Sequence, residues 1–247
     1  MNDFINAFKI IFTTSYDKYY HKQLFKQLWQ TVDMTLISGI FSVLLGLLFG
    51  VLLTLFKKGG LKENKIVYSI LSFIINILRS IPFIILIVLL IPLTRKMVGT
   101  SIGLKGSIIP LIFGTVPFYS RQVEAALCDI EYGKIEAARS CGSSTIGIVF
   151  RVYLHEAVPS IIRVTTITAV SLVGLTATAA GAVAAGGLGD LAINTGLPQY
   201  RYDLIWACVI MILIIVSIIQ IIGTFLAKAT TNKHLFTFKK KQNKETK

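Results

Sequence analysis

Apolar positions in this chain run in unbroken blocks rather than alternating or recurring on one face. Residues 34–56, 164–189 and 204–227 are 23, 26 and 24 residues long without a single Asp, Glu, Lys or Arg. About 20 apolar residues suffice to carry a helix across a hydrocarbon core. A soluble helix of that length keeps a polar face, and these blocks have none that is continuous. Residues 66–94 form a fourth block, interrupted by Arg79, and residues 106–120 a fifth that runs on through Arg121, Gln122 and Glu124. Strands of a membrane barrel would alternate with period two, whereas FIILIVLLIPL does not. The pattern predicts an all-α integral membrane protein of about five transmembrane helices.

Composition agrees: 54% of the 247 residues are hydrophobic and 15% charged, against about 25% charged in a soluble domain. The net charge of +13 is not a nucleic-acid footprint, because the basic residues collect at the ends of the apolar blocks instead of on one folded face. Their distribution sets an orientation. With an outward N-terminus, the inside segments (57–65, 121–163 and 228–247) hold sixteen Lys and Arg and the outside segments eight. Three expected regions follow: an N-terminal extension (1–27), a transmembrane domain (28–230) and a basic inside tail (231–247). In the extension, Phe4, Phe8, Ile11 and Phe12 recur at helical spacing, which fits either an interfacial helix or an unpacked extension. Cys128, Cys141 and Cys208 have no metal spacing and form no disulfide framework.

The inside segment at about 128–160 carries the most information. Its sequence reads as a helix over 133–141, a stop at Gly142, a cap at Ser143 or Ser144, and a second short helix over 145–154. Pro159 then falls in the first turns of the fourth span. Such a unit exposes Glu136, Arg139 and Arg151, while Ala137, Ala138, Ile146 and Val149 are free to pack. From periodicity alone the simpler reading is an amphipathic surface hairpin with no partner.

Glu136-Ala137-Ala138, three residues and then Gly142 match the EAA…G signature of binding-protein-dependent ABC import permeases, and the chain resembles that family. The segments NILRSIPFIILIVLLIPLTR, VGTSIG, PFYSRQVEAAL, TTITAVSLVG and AGGLGDLAI resemble its methionine-import branch, over about residues 28–227. The resemblance implies a permease subunit forming the pathway for an amino acid, methionine first and another amino acid or small organic substrate as the alternative. It implies partners: two copies of a cytoplasmic ATPase that binds ATP and Mg, a second copy of this chain, and an outer substrate-binding protein. Glu136, Ala137, Ala138, Gly142 and Leu154 would then couple to the ATPase. His155 stands where the family has proline, which puts a local bend in question.

Arg79 is costly in an apolar span. It either faces the pathway or pairs with a carboxylate such as Glu124 or Glu156; Ser80, Ile81 and Pro82 after it loosen the helix. The fourth span is rich in small and hydroxyl residues, so Ser171, Thr176, Thr178 and Gly181 are further pathway candidates, with plain helix packing as the alternative. Gly46 and Gly50 read as packing. Gly186, Gly187 and Gly189 do not complete a dinucleotide loop, and Gly133-Lys134 lacks P-loop spacing, so no nucleotide or cofactor site is expected on this chain. His21, His155 and His234 are too scattered for a catalytic cluster. Five spans with no visible repeat argue against a self-sufficient secondary transporter.

Overall fold

A computed structural model describes residues 2–13 and 18–245, with side chains described through residue 231. Among the described residues there is no strand. Helices α1 (Asn2–Phe12), α2 (Lys18–Phe56), α3 (Lys65–Ser80), α4 (Phe83–Val98), α5 (Gly103–Cys128), α6 (Tyr132–Ser140), α7 (Thr145–Ile148), α8 (Leu154–Val183), α9 (Leu188–Asp190) and α10 (Tyr202–Glu245) follow one another. Two π-helical stretches, Val149–Tyr153 and Leu191–Gly196, link α7 to α8 and extend α9.

Three of the expected spans are single helices long and apolar enough to cross a membrane: Lys18–Phe56, Thr145–Val183 and Tyr202–Thr231. The span expected over 66–94 is broken, since α3 and α4 meet at 110°. The cause is local. Pro82 has no N–H to donate and biases the preceding residue away from helix; Ile81 is extended, with φ −77° and ψ 123°. The fifth, α5, has 26 residues, about 39 Å at 1.5 Å per residue.

Helix α5 is the hub, packed against α2, α8, α4 and α3. The α2 face turned inward is a period-four row of Met34, Ser38, Ser42, Gly46, Gly50 and Thr54, all buried. Small residues let two backbones approach closely in lipid. A Cβ at Gly46 would sit 2.6 Å from the Tyr119 ring, and one at Gly50 2.6 Å from Val123. The packing expected of this glycine pair is what the structure shows.

Two boundaries differ from expectation. Helix α2 starts at Lys18, so residues 18–27 belong to the first long helix and not to an extension. Helix α1 takes the helical alternative: Ala7, Ile10 and Ile11 pack with Leu24, Leu204, Ala207, Cys208 and Met211, while Phe4, Phe8 and Phe12 stay exposed. The fourth span ends at Val183, short of Gly189, because Ala184, Gly186 and Gly187 all adopt positive φ. Of the tail, the backbone continues α10 to Glu245, and its side chains beyond Thr231 lie outside the described residues.

Candidate functional site

The EAA…G segment builds one compact unit at the end of the bundle where α5 stops. Helix α6 closes with a Schellman turn: the Gly142 amide donates to the Arg139 carbonyl (2.9 Å) and the Ser143 amide to the Ala138 carbonyl (3.1 Å). That turn needs a left-handed residue, and Gly142 supplies it at φ +73°. Ser144 then caps α7 by accepting from the Gly147 amide at 3.2 Å. Here expectation and structure part. There is no separate second helix, because α7 runs through the π-helical turn into α8 as one 39-residue helix. His155 is exposed near the start of α8, and Pro159 four residues on lies within the same continuous helix.

The packing residues also differ from those expected. Ile146 is 71% exposed and Ala137 is exposed; only Val149 is buried and Ala138 half-buried. The anchors are Ile135, Ile148 and Tyr153, in one cluster with Tyr119, Val123, Leu127 and Ala157. On so short a unit one face can turn inward, and Ile135 and Ile148 occupy it. Polar ties complete the seating: Lys134 pairs with Glu156 at 2.6 Å, and Arg139 donates to the Leu61 carbonyl at 3.4 Å. Lys57 lies 2.7 Å from the Cys128 sulfur. Leu154 is half-buried beside this core. Left on the outside are Glu136, Ala137, Ile146 and Phe150, the last 65% exposed and one turn from Ile146.

The pathway candidates separate into two groups. Ser171, Thr178 and Gly181 are exposed and, with Gly174, line one side of α8. Thr176 is buried, its hydroxyl bonded to the Val173 carbonyl at 2.7 Å, so it belongs to the packed side. Arg79 pairs with neither expected carboxylate. Glu156 is held by Lys134, and Glu124 by Arg121 at 2.7 Å and the Tyr68 hydroxyl at 3.2 Å. Instead Arg79 is exposed on a cleft of about 430 Å³ at the α3–α4 break, shared with Phe83, Thr115, Phe118, Ser171 and Leu172.

Two features escaped the sequence reading. Arg121 reaches from α5 to α3, donating to the Ser72 hydroxyl and carbonyl and, at 3.0 Å, to Asn76. An Arg three residues before a Glu was the available signal. The segment after α8 is tied to α2: the Gly187 amide donates to Gln27 (2.6 Å) and the Leu188 amide to the Thr31 hydroxyl (2.8 Å). Gly186 and Gly187, both at positive φ, therefore sit in a turn anchored to α2. Among the described residues no group of His, Cys, Asp and Glu could hold a metal ion.

A polytopic all-α bundle with a capped helix–turn–helix unit at one end and a broken helix within it is the architecture of a membrane transport subunit. The chain belongs to the family of binding-protein-dependent transport system inner membrane components, whose model matches residues 42–232. It is 46% identical over 172 residues to the methionine import system permease protein MetP of Bacillus subtilis, covering 70% of this chain and 77% of that protein. To the probable D-methionine transport system permease protein MetI of Vibrio cholerae it is 41% identical over 182 residues, 74% of this chain and 80% of the relative. The MetNI methionine ABC transporter in an inward-facing conformation superposes with a TM-score of 0.83 at 42% identity, covering 85% of this chain and 97% of the matched one. An amino acid ABC transporter at 19% identity and TM-score 0.65 shares the fold.

Proposed function

We propose that this chain is the permease subunit of an ATP-driven importer of methionine. Two copies form the pathway, and each seats its α6–α7 unit on a cytoplasmic ATPase that binds and hydrolyses ATP with Mg. An outer binding protein delivers substrate. The carrying observation is the unit itself. It is fixed to the bundle by Ile135, Ile148, Tyr153 and the Lys134–Glu156 pair, yet it turns Glu136, Ala137, Ile146 and Phe150 outward. Isolated exposed Ile and Phe are ordinary. Two of them one turn apart, on a rigid unit with a family signature, suit a partner groove. Because the same apolar cluster includes Tyr119 and Val123, force on the unit reaches the C-terminal part of α5 through packed side chains.

The orientation follows from the basic residues: N-terminus outside, C-terminus and coupling unit inside, in the cell membrane. The relatives named for methionine support that substrate; another amino acid is the alternative. The test has two readouts. Deletion of residues 136–138, or Gly142→Val, is expected to abolish ATPase co-purification while the permease still folds in detergent. Vesicles holding the complete complex should take up labelled methionine only with ATP inside the compartment that bears the ATPase. Normal assembly of both variants would refute the coupling assignment, and better competition by another amino acid would reassign the substrate.

A further inference from the structure

At the α3–α4 break, three kinds of group that favour a negative charge meet an apolar wall. Arg79 is exposed there and, among the described residues, has no carboxylate beside it. Thr115 lies halfway along α5 on the lining of the same cleft. It is 2% exposed, and its hydroxyl has no hydrogen-bond partner. Thr54 and Thr168 satisfy their hydroxyls on the carbonyl four residues back; Thr115 does not, and unlike Thr94, the other unpartnered buried threonine among the described residues, it lines this cleft. A buried hydroxyl left unmet is costly, and calls for a polar atom from outside the helix. The third group is the start of α4. Pro82 provides no side-chain cap, so the Phe83 and Ile84 amides have no acceptor within their helix, and a helix N-terminus draws anions. Phe83, Phe118 and Leu172 make the rest of the surface apolar. The cleft's 430 Å³ falls in the roughly 300–1,000 Å³ range of small-molecule sites.

We propose that this cleft is a transient amino-acid subsite of the pathway, in which Arg79, Thr115 and the α4 N-terminus take the substrate carboxylate and the apolar wall takes its side chain. This rests on the importer reading for its place in transport, but its binding chemistry is tested separately. A discontinuous helix whose N-terminus faces an anionic substrate group is a physically favoured way to hold one inside a membrane. The site reads the carboxylate and the apolar body, and leaves finer selection to other steps.

The test uses the full complex in lipid nanodiscs. Cys128 and Cys141, the exposed cysteines, are changed to serine, and Cys208 is fully buried. Leu78→Cys, at the rim of the cleft, reports alkylation by a thiol reagent. Methionine and norleucine should slow that reaction, while methioninol, which lacks the carboxylate, should not. Arg79→Gln should remove the protection and Arg79→Lys restore part of it. Thr115→Val should raise the methionine concentration needed by about tenfold, the worth of one hydrogen bond to a charged group. ATPase co-purification identifies a misfolded variant; if Arg79→Gln fails to assemble, Thr115→Val and the methioninol comparison decide. Protection by methioninol equal to that by methionine, no protection by any of the three, or protection unchanged in Arg79→Gln would overturn the subsite. ATP-driven uptake in the same complex reads the importer function independently: uptake without carboxylate-dependent protection sinks the subsite alone, and protection without uptake sinks the importer reading alone.

Discussion

Gly50 and Gly174 look alike in the sequence, each a glycine in an apolar span, and the structure gives them opposite jobs. A Cβ on Gly50 would lie 2.6 Å from Val123 and 2.9 Å from the Ser120 carbonyl, a backbone atom that cannot step aside; one on Gly174 would meet nothing within 4 Å. Gly50→Ala should therefore destabilise the permease by about 1–3 kcal/mol, the usual cost of overpacking. Gly174→Ala should stay within about 0.5 kcal/mol, as surface changes do. Thermal unfolding in a single detergent compares them; equal losses would refute the close α2–α5 approach. The spacing of Gly46 and Gly50 made their packing role legible. Nothing in the spacing of Gly174 says that its side of α8 is open, because that depends on which neighbours the chain brings to it.

Between elements, the informative feature is the polar clamp from α5 to α3. Arg121 and Glu124 have side chains 17% and 11% exposed, and Arg121 also holds Ser72 and Asn76. Removing one member of a buried pair strands the other charge and costs about 3–5 kcal/mol, whereas removing both costs less. Arg121→Ala should accordingly be more damaging than the double change with Glu124→Ala, in thermal stability and in the protease resistance of α3. A double variant worse than the single would mean the pair is not the clamp. The sequence allowed Glu124 as a partner for Arg79, and geometry decided otherwise. Arg121 stands three residues away on the same helix, where contact costs little chain ordering, while Arg79 lies about three turns further along α3 than Tyr68, the α3 residue that meets Glu124. The bend itself was half legible. Ser80, Ile81 and Pro82 announced a weak point, but the angle is set by what α3 and α4 pack against, which is α5 in both cases. The second short helix, over 145–154, was misjudged for a related reason. Ser144 correctly marked a start, and no stop signal followed it, so the helix simply continued into the span.

At the scale of the molecule, the two long C-terminal helices expose different chemistry. On α10, Ile214, Ile218, Ile221 and Phe225 are exposed, bulky apolar groups suited to lipid. On α8 the exposed positions include Ser171, Gly174, Thr178 and Gly181, while Leu172, Val173, Ala179 and Val183 turn inward. Lipid-facing surfaces gain nothing from hydroxyls, which need partners in hydrocarbon. A stripe of that kind makes sense beside water or beside the same helix of a second copy. In the assembled complex, then, a cysteine at Thr178 should react with a charged, membrane-impermeant thiol reagent at least about tenfold faster than one at Ile218, since a thiol in hydrocarbon must first reach water to ionise. Substrate or ATP should change the first rate and leave the second alone. Equal rates would place the α8 stripe in lipid and remove it from the pathway. A fast Thr178 thiol whose rate ignores ATP would leave a static water-filled groove, and the coupling role proposed for the α6–α7 unit would then have nothing on this helix to move.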